Sequence, residues 1–445
     1  MEQIRMEQTG VFTPEFEKRV YSKVTWRLIP FLFMCYIFAY VDRVNVGFAK
    51  LQMQHDLGIS DAVYGTGAGI FFVGYFLFEI PCNIALEKIG AKYWLGPIMI
   101  VWGLVSACTM LVTGQWSFYF VRFILGIVEC GFFPGVILYL TFWFTGKYRA
   151  KMVAGFMTAI PLSGLIGGPI SGWLLNRMAT VGGLKAWQWL FIVEAIPSLL
   201  AGVATMFFLA DNPAKAKWLK PRERALLMQR LEEDEKGKRS GAGHQHSFAD
   251  AFRKPNVWLF SLIYFGVVTG NYGLQFWMPQ IIKDTLTADP FQIGLLTMIP
   301  WGITAIAMVL VGQHSDATGE RCWHVAIAAL VGGFGLALSA IPGISGAFGL
   351  VALTIATAGI ISSTSTFWSL PTSYLSGTAA SAGIAWINSL GNLGGQVGPL
   401  ILGNVHGKNN SLTPALLLLS LCCVMSAVVA IAFFRKRPVQ SVSQI

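Results

Sequence analysis

The sequence predicts an all-α polytopic membrane protein, with twelve transmembrane helices in two pseudo-symmetric six-helix bundles. Three observations predict it. Of 445 residues, 54% are hydrophobic and 12% are charged, where a soluble domain carries about 25% charged residues. The apolar residues form blocks near the ~20 residues that a helix needs to cross a bilayer. Landmarks in the first half also recur in the second at one fixed offset.

Taken in order, residues 1–27 are polar and mixed in charge, without the apolar run and small-residue cleavage site of a signal peptide. Spans follow near 28–48, 62–83, 93–113, 116–140, 152–175 and 187–209, filling an N-terminal bundle over 28–210. A linker over 211–256 runs from Asp211-Asn212-Pro213 through a charged amphipathic piece, Arg222 to Glu235, into a Gly/Ser/His segment. His244 and His246 alternate there without the further ligands a metal site needs. Spans near 257–279, 291–313, 322–341, 347–371, 379–402 and 411–434 form the second bundle, 257–434, before a tail over 435–445.

The repeat is visible in short loops. Glu87 stands three residues before Gly90 after span 2, and Asp316 three before Gly319 after span 8, an offset of 229. Gly168-Pro169 in span 5 returns as Gly398-Pro399 in span 11, an offset of 230. A duplicated six-helix unit explains both, and transporters built this way often bind substrate between the repeats.

An even number of spans puts both termini on one face. Loops on that face carry 25 Lys and Arg against five on the other, and 14 against five without the long linker. The bias predicts cytoplasmic termini in a cell inner (plasma) membrane. The net charge of +10 is therefore loop bias and indicates no nucleic-acid partner. Lys283 and His55 fall in outer loops on this reading and are solvated, and Lys50 counts among the loop charges of the same side. The seven cysteines lack metal-ligand spacing and read as packing residues.

Charges inside the spans carry the functional signal. Asp42-Arg43 interrupts span 1, and Arg122 and Glu129 interrupt span 4. A mid-bilayer charge costs roughly 2.5–3.5 kcal/mol on insertion scales. Arg offers a planar fork that stays charged, suited to a carboxylate. Asp42 and Glu129 can change charge, because burial favours the neutral acid and a nearby Arg the ionised one. Arg122 and Glu129, seven apart, share a helix face, the one expected to face a cavity; an internal ion pair is the alternative. Adjacent Asp42 and Arg43 point about 100° apart, so each is expected to meet a different neighbouring helix. Apolar-flanked Glu79 and Glu194 read as helix-end acids with structural roles.

Uncharged polar residues cluster in the second bundle. Asn271, Tyr272 and Gln275 lie in span 7, Ser362 to Thr366 with Ser365 and Trp368 in span 10, and Asn388, Asn392 and Gln396 on one face of span 11. They suit orientation of a substrate or, equally, hydrogen bonding between helices. Glycines of spans 5 and 11 read as close-approach positions, and Pro81, Pro134 and Pro169 as bends.

The two short loops resemble the signature of the major facilitator superfamily, a Gly-x-x-x-Asp-Arg-x-Gly-Arg-Lys pattern, with Asn83, Glu87 and Ala91 as departures. Tyr40-Val41-Asp42-Arg43 with Asn45, and Arg122 and Glu129 followed by Gly131-Phe132-Phe133-Pro134-Gly135, resemble the anion:cation symporter family within it. Gly131 to Phe144 and Trp187 to Ser198 are most similar to its tartrate, phthalate and hydroxyphenylacetate branches, while Pro161 departs from the sugar-acid branch. The resemblance implies proton-coupled uptake of a small organic carboxylate, with Asp42 and Glu129 coupling protons. Arg43 and Arg122 are both candidates for binding the anion, one touching substrate while the other tunes the carboxylates, and the protein is expected to be a monomer. It also places Tyr40 and Tyr75 at a central cavity, which Trp368 would wall.

Antiport or facilitated diffusion on the same fold remains a rival, as does a non-transporting nutrient sensor. A membrane enzyme finds no support, since no Ser/His/Asp or metal cluster is present and the six His are scattered. No cofactor is expected.

Overall fold

The computed structural model describes residues 12–179, 181–241, 254–374, 378–409 and 411–435, and within them the chain is helical throughout its spans. His244, His246 and most of the C-terminal tail lie outside the described residues. Among the described residues, eleven helical stretches are long and apolar enough to cross a membrane. In the first half they are Pro14–Leu57, Asp61–Ile89, Ala91–Leu111, Gln115–Thr141, Lys151–Arg177 and Ala186–Phe208. In the second they are Pro255–Thr285, Pro290–Thr318, Cys322–Ser339, Gly346–Tyr374 and Thr413–Phe434. The twelfth, span 11, is two helices, Thr378–Asn392 and Gly394–Asn409, joined at Leu393. Numbered in chain order, these are spans 1 to 12, forming two six-helix bundles.

The ends follow local chemistry. Span 1 starts at Pro14, with Thr13 Oγ1 accepting from the Phe16 amide at 3.3 Å. Ser60 Oγ caps span 2 by accepting from the Val63 amide at 3.2 Å, and Asp289 caps span 8 through the Phe291 amide at 3.0 Å. Span 1 is far longer than its apolar block. Its helix reaches back into the polar N-terminal segment and, past a one-residue interruption at Asn45, forward to Leu57. Outward-facing Trp116, Phe120, Leu200, Phe207, Ile306 and Phe348 are exposed, as a lipid-facing surface requires.

The two halves close on each other at the ends remote from the termini. There span 5 crosses span 8 and span 2 crosses span 11 on bare backbone. A Cβ at Gly294 would strike the Gly168 carbonyl, and one at Gly403 would strike the Asp61 carbonyl and, at 3.0 Å, Gly65 Cα. Gly168 is one of the span 5 glycines at which close approach was expected, and Gly403 of span 11 extends that contact beyond the expected set.

Side chains lock the same ends, and two of them correct the loop reading. Lys50 is not in a loop: it is buried in the extended first helix, 3.0 Å from Asp61, with Nζ 3.8 Å from the centre of the Trp277 ring. Lys283 sits in span 7 and donates to the Leu51 carbonyl at 3.4 Å. Asp61 also accepts from Gln54 at 2.9 Å and meets His406 Nδ1 of span 11 at 2.7 Å. Asn176 of span 5 donates to Asp289 of span 8 at 2.7 Å. His406 is 230 positions after Asn176, and Asp289 is 228 after Asp61. The two contacts are therefore counterparts across the repeat, one pairing an Asp with an ionisable imidazole and the other pairing an Asp with a neutral amide. His55 is exposed, as expected.

On the termini's face, the charged helix Pro221–Gly241 lies against the first bundle through Lys23–Glu223 (2.6 Å) and Arg230–Glu17 (2.8 Å). The second short loop holds an Arg321–Asp316 pair at 2.5 Å. His314 and His324 flanking it are in contact at 2.7 Å, so the histidines are less scattered than the sequence suggested.

Candidate functional site

Between the bundles lies a cavity of about 70 Å³, room for roughly five waters at the 10–15 Å³ each requires. The first half contributes Tyr36, Tyr40, Arg43, Phe72, Tyr75 and Phe133, and the second Tyr264, Asn271, Tyr272, Ser365, Trp368, Asn388 and Asn392, among others. It runs from Arg43 and Asn271, midway along spans 1 and 7, toward the termini's face. Tyr264, Trp368 and Asn388 lie nearest that face, where span 2 meets span 11 through Glu79.

Arg43 is the charged residue on its wall. Its Nε and Nη2 both donate to Glu129 Oε1, at 2.9 and 2.5 Å, and its Nη1 donates to Tyr272 Oη at 3.1 Å. The guanidinium thus reaches from span 1 to span 4 and, across the cavity, to span 7. Rings of Tyr40, Phe71 and Tyr75 surround it at 5.3–6.0 Å. Glu129 is buried and its second oxygen, Oε2, has no hydrogen-bond partner. Span 4 breaks just beyond Glu129, at Cys130 and Gly131, which ends the helix beside the guanidinium.

Asp42 points elsewhere. It is buried behind span 1, accepting from Trp102 Nε1 (2.9 Å), Ser106 Oγ (3.3 Å) and Ser198 Oγ (2.5 Å) on spans 3 and 6. Arg122 is also off the cavity wall. Its Nη2 donates to the Ala68 carbonyl at 3.1 Å, and its guanidinium packs on Phe71 and Phe276 at 5.2 and 5.8 Å. Glu129 takes Arg43, from another span, as its partner in place of Arg122 on its own helix.

The remaining polar residues connect the halves. Gln275 donates to Tyr40 Oη at 3.2 Å and to Asn271 Oδ1 at 2.5 Å. Asn388 and Ser389 of span 11 donate to the two oxygens of Glu79 in span 2, at 2.6 and 2.5 Å. Glu79 and Glu194 therefore do not sit at helix ends; both are buried within their spans. Trp368 stands edge-on to Tyr264 at 4.9 Å, and Ser365 bonds back to the Ser362 carbonyl at 2.9 Å.

Sequence reasoning missed Tyr36, Phe72 and Tyr264 on the wall, because aromatic residues in apolar spans carry no signal of facing. It also missed the Lys50–Asp61–His406 cluster, whose members come from opposite ends of the chain. Among the described residues, no group of three or more His, Cys, Asp and Glu is placed to hold a metal ion.

Comparison with known proteins agrees with this architecture. Residues 32–399 match the Major Facilitator Superfamily. A protein of Agrobacterium vitis named "Putative tartrate transporter" is 46% identical over 97% of this chain and 95% of its own. The "Inner membrane transport protein RhmT" of Escherichia coli strain K12 is 37% identical over 86% of this chain and 87% of its own. In fold, the chain resembles a D-xylose-proton symporter, with a TM-score of 0.69 at 16% identity over 94% of this chain and 98% of that one. The chain belongs to the major facilitator superfamily, and it is a membrane-embedded secondary transporter, not an enzyme.

Proposed function

We propose that this transporter takes up a small organic carboxylate together with protons, by alternating access around Arg43. The supporting observation is the Arg43–Glu129 pair at the cavity wall. Both Arg43 donors on that side converge on one oxygen, Oε1, leaving Oε2 unpartnered. A proton on Oε2 neutralises Glu129 and weakens its hold on Arg43. The guanidinium fork is then released to a substrate carboxylate, which it binds in two parallel hydrogen bonds. Anion and proton therefore enter together, and loss of the proton would restore the internal pair and expel the anion.

Tyr40, Tyr75, Tyr272, Asn271, Asn388, Asn392 and Ser365 supply hydroxyls and amides around the bound acid, and Trp368 forms one wall. Asp42, behind span 1, is a second acid for proton coupling, and Arg122 supports the positive potential beneath the cavity. The name of the A. vitis relative makes tartrate the first ligand to test. The loop-charge bias places both termini in the cytoplasm, so the interlocked far ends make this a state closed to the outside. The protein acts as a monomer in the inner (plasma) membrane on this reading.

The test is uptake of labelled tartrate, phthalate, hydroxybenzoates and sugar acids into proteoliposomes. An inward proton gradient should drive accumulation, and reversing it should reverse the flux. Accumulation indifferent to the gradient, with brisk exchange against internal anion, would replace symport by antiport.

A further inference from the structure

A second, smaller cavity lies on the other side of Gln275, between spans 1, 5, 7 and 8. Its volume is about 20 Å³, enough for one water. Asn45, Ser163, Ser171, Gln275 and Thr297 are among its walls. Its polar atoms are unevenly satisfied. Asn45 is buried with both Oδ1 and Nδ2 unpartnered, and Gln275 Oε1 is unpartnered as well. Ser171 donates to Glu194 Oε1 at 2.6 Å, but the other oxygen, Oε2, is buried without a hydrogen-bond partner, and the Asn45 side chain lies beside the carboxyl group.

Buried polar groups are rarely left unpaired, and each orphan costs about 1–3 kcal/mol. One proton resolves the mismatch at Glu194: a carboxyl O–H on Oε2 donates to Asn45 Oδ1. A water in the cavity resolves the rest, donating to Gln275 Oε1 and accepting from Asn45 Nδ2. Gln275 in turn bonds Tyr40 and Asn271, which line the transport cavity. Polar groups then run without interruption from that cavity to Glu194.

The surrounding charges agree. Asp42, one turn away through Ser198 on the same span, is the charged group that acts on Glu194. Its carboxyl accepts from three donors, which suits a carboxylate. Glu194 has one donor and one empty oxygen, which suits the acid form. Two neighbouring carboxylates in an apolar interior do not both ionise readily. The other charges on helices packed against span 6 are turned away or remote. Arg43 is engaged by Glu129 and Lys50 by Asp61, while Asp56 bonds Trp187 at the far end. His55 is exposed, and Lys92 and Arg177 lie at the two membrane faces, as do the charges in the first turns of span 1.

We propose that Glu194 is a further proton-carrying acid of the transport cycle, beyond Glu129 and Asp42, reached from the substrate cavity through Gln275, a single water and Asn45. It deepens the symport reading above and rests on it. Two measurements separate the two. The first is the infrared carbonyl band of a buried protonated carboxyl in the purified protein. Glu194→Gln should remove it at neutral pH and Asp42→Asn should leave it; a band unchanged in Glu194→Gln overturns the proposal without reference to transport. The second is accumulation in proteoliposomes under a one-unit pH gradient, where each coupled proton multiplies the final ratio about tenfold. Glu194→Gln should lower that ratio about tenfold, and Asn45→Leu should slow the approach to it. Wild-type accumulation that ignores the gradient defeats symport itself. Wild-type accumulation matched by Glu194→Gln defeats only the role of Glu194. Should Glu194→Gln fold poorly, Asn45→Leu carries the kinetic arm, and an unaltered rate there also counts against the path.

Discussion

Asp42 and Arg43 are consecutive in the chain yet face different compartments. Asp42 turns to Trp102, Ser106 and Ser198 inside the first bundle, and Arg43 turns to Glu129 and Tyr272 at the central cavity. The 100° between adjacent helical residues makes the division possible. It gives the two residues separable phenotypes.

Arg43→Lys should reduce uptake on the order of 10- to 100-fold, the worth of a charge-assisted hydrogen bond at about 1.5–3 kcal/mol. A point charge cannot reproduce the fork that holds Glu129 and, in the proposed cycle, the substrate. Initial rates in proteoliposomes check it, and near-normal uptake removes Arg43 as the anchor. Glu129→Gln should spare counterflow more than proton-driven accumulation, because a neutral amide leaves the fork available but carries no proton.

Asp42→Ala should lower thermal stability, since it strands three buried donors at about 1–3 kcal/mol for each that stays unsatisfied. Asp42→Asn keeps the shape and should lose less. A thermal-shift series on purified protein separates them, and equal melting temperatures for wild type and Asp42→Ala would contradict the buried network.

Asp61→Asn should release the far ends of the bundles. It removes the counter-charge of buried Lys50, a loss that costs roughly 3–5 kcal/mol in buried pairs, and weakens the contact with His406. Spin labels across spans 2 and 11 should show a larger far-end separation than in wild type. Asn176→Ala, breaking the counterpart contact of Asp289 with a neutral amide, should have a smaller effect.

Gly294→Ala should trap the protein away from this state. The added Cβ meets the Gly168 carbonyl and, at 3.2 Å, Pro169 Cα, both backbone that cannot swing aside. Transport should fall while expression and monodispersity persist, and the same far-end labels should report separation.

The linker helix should loosen in acid. Burial opposes ionisation of Glu223, but its hydrogen bonds to Lys23 and the Lys220 amide outweigh it and hold the carboxyl below its ordinary range. Its contribution is thus complete above the ordinary Glu range and lost as pH falls through the depressed value. For so exposed a contact it amounts to at most about 1 kcal/mol. Limited proteolysis at Arg222 and Arg224 should quicken below that range in wild type, and Glu223→Gln should be quick at neutral pH already.

Much of the site was legible because polar residues in apolar spans demand an explanation. Arg43, Asn271, Tyr272, Asn388, Asn392 and Trp368 lie on one cavity, and their residue types alone drew attention to them. The failures share one cause. Lys50 reads as a loop residue because Asn45, Lys50, Gln52, Gln54 and His55 make that stretch polar. It is helical because Asp61 and Trp277, from other spans, neutralise and cover it. Glu79 looked like a helix-end acid because its partners, Asn388 and Ser389, come some 310 positions later.

The sequence by itself determined the number of spans, the duplicated halves and which residues are too polar to face lipid. These follow from hydropathy and spacing, which are local properties of the chain. Only the tertiary structure decided where each polar side chain turns: Arg43 to Glu129, Asp42 away from the cavity, Glu194 toward Asn45. In a low-dielectric interior a charge is tolerable only beside its partner, and those partners lie on helices brought together by the fold.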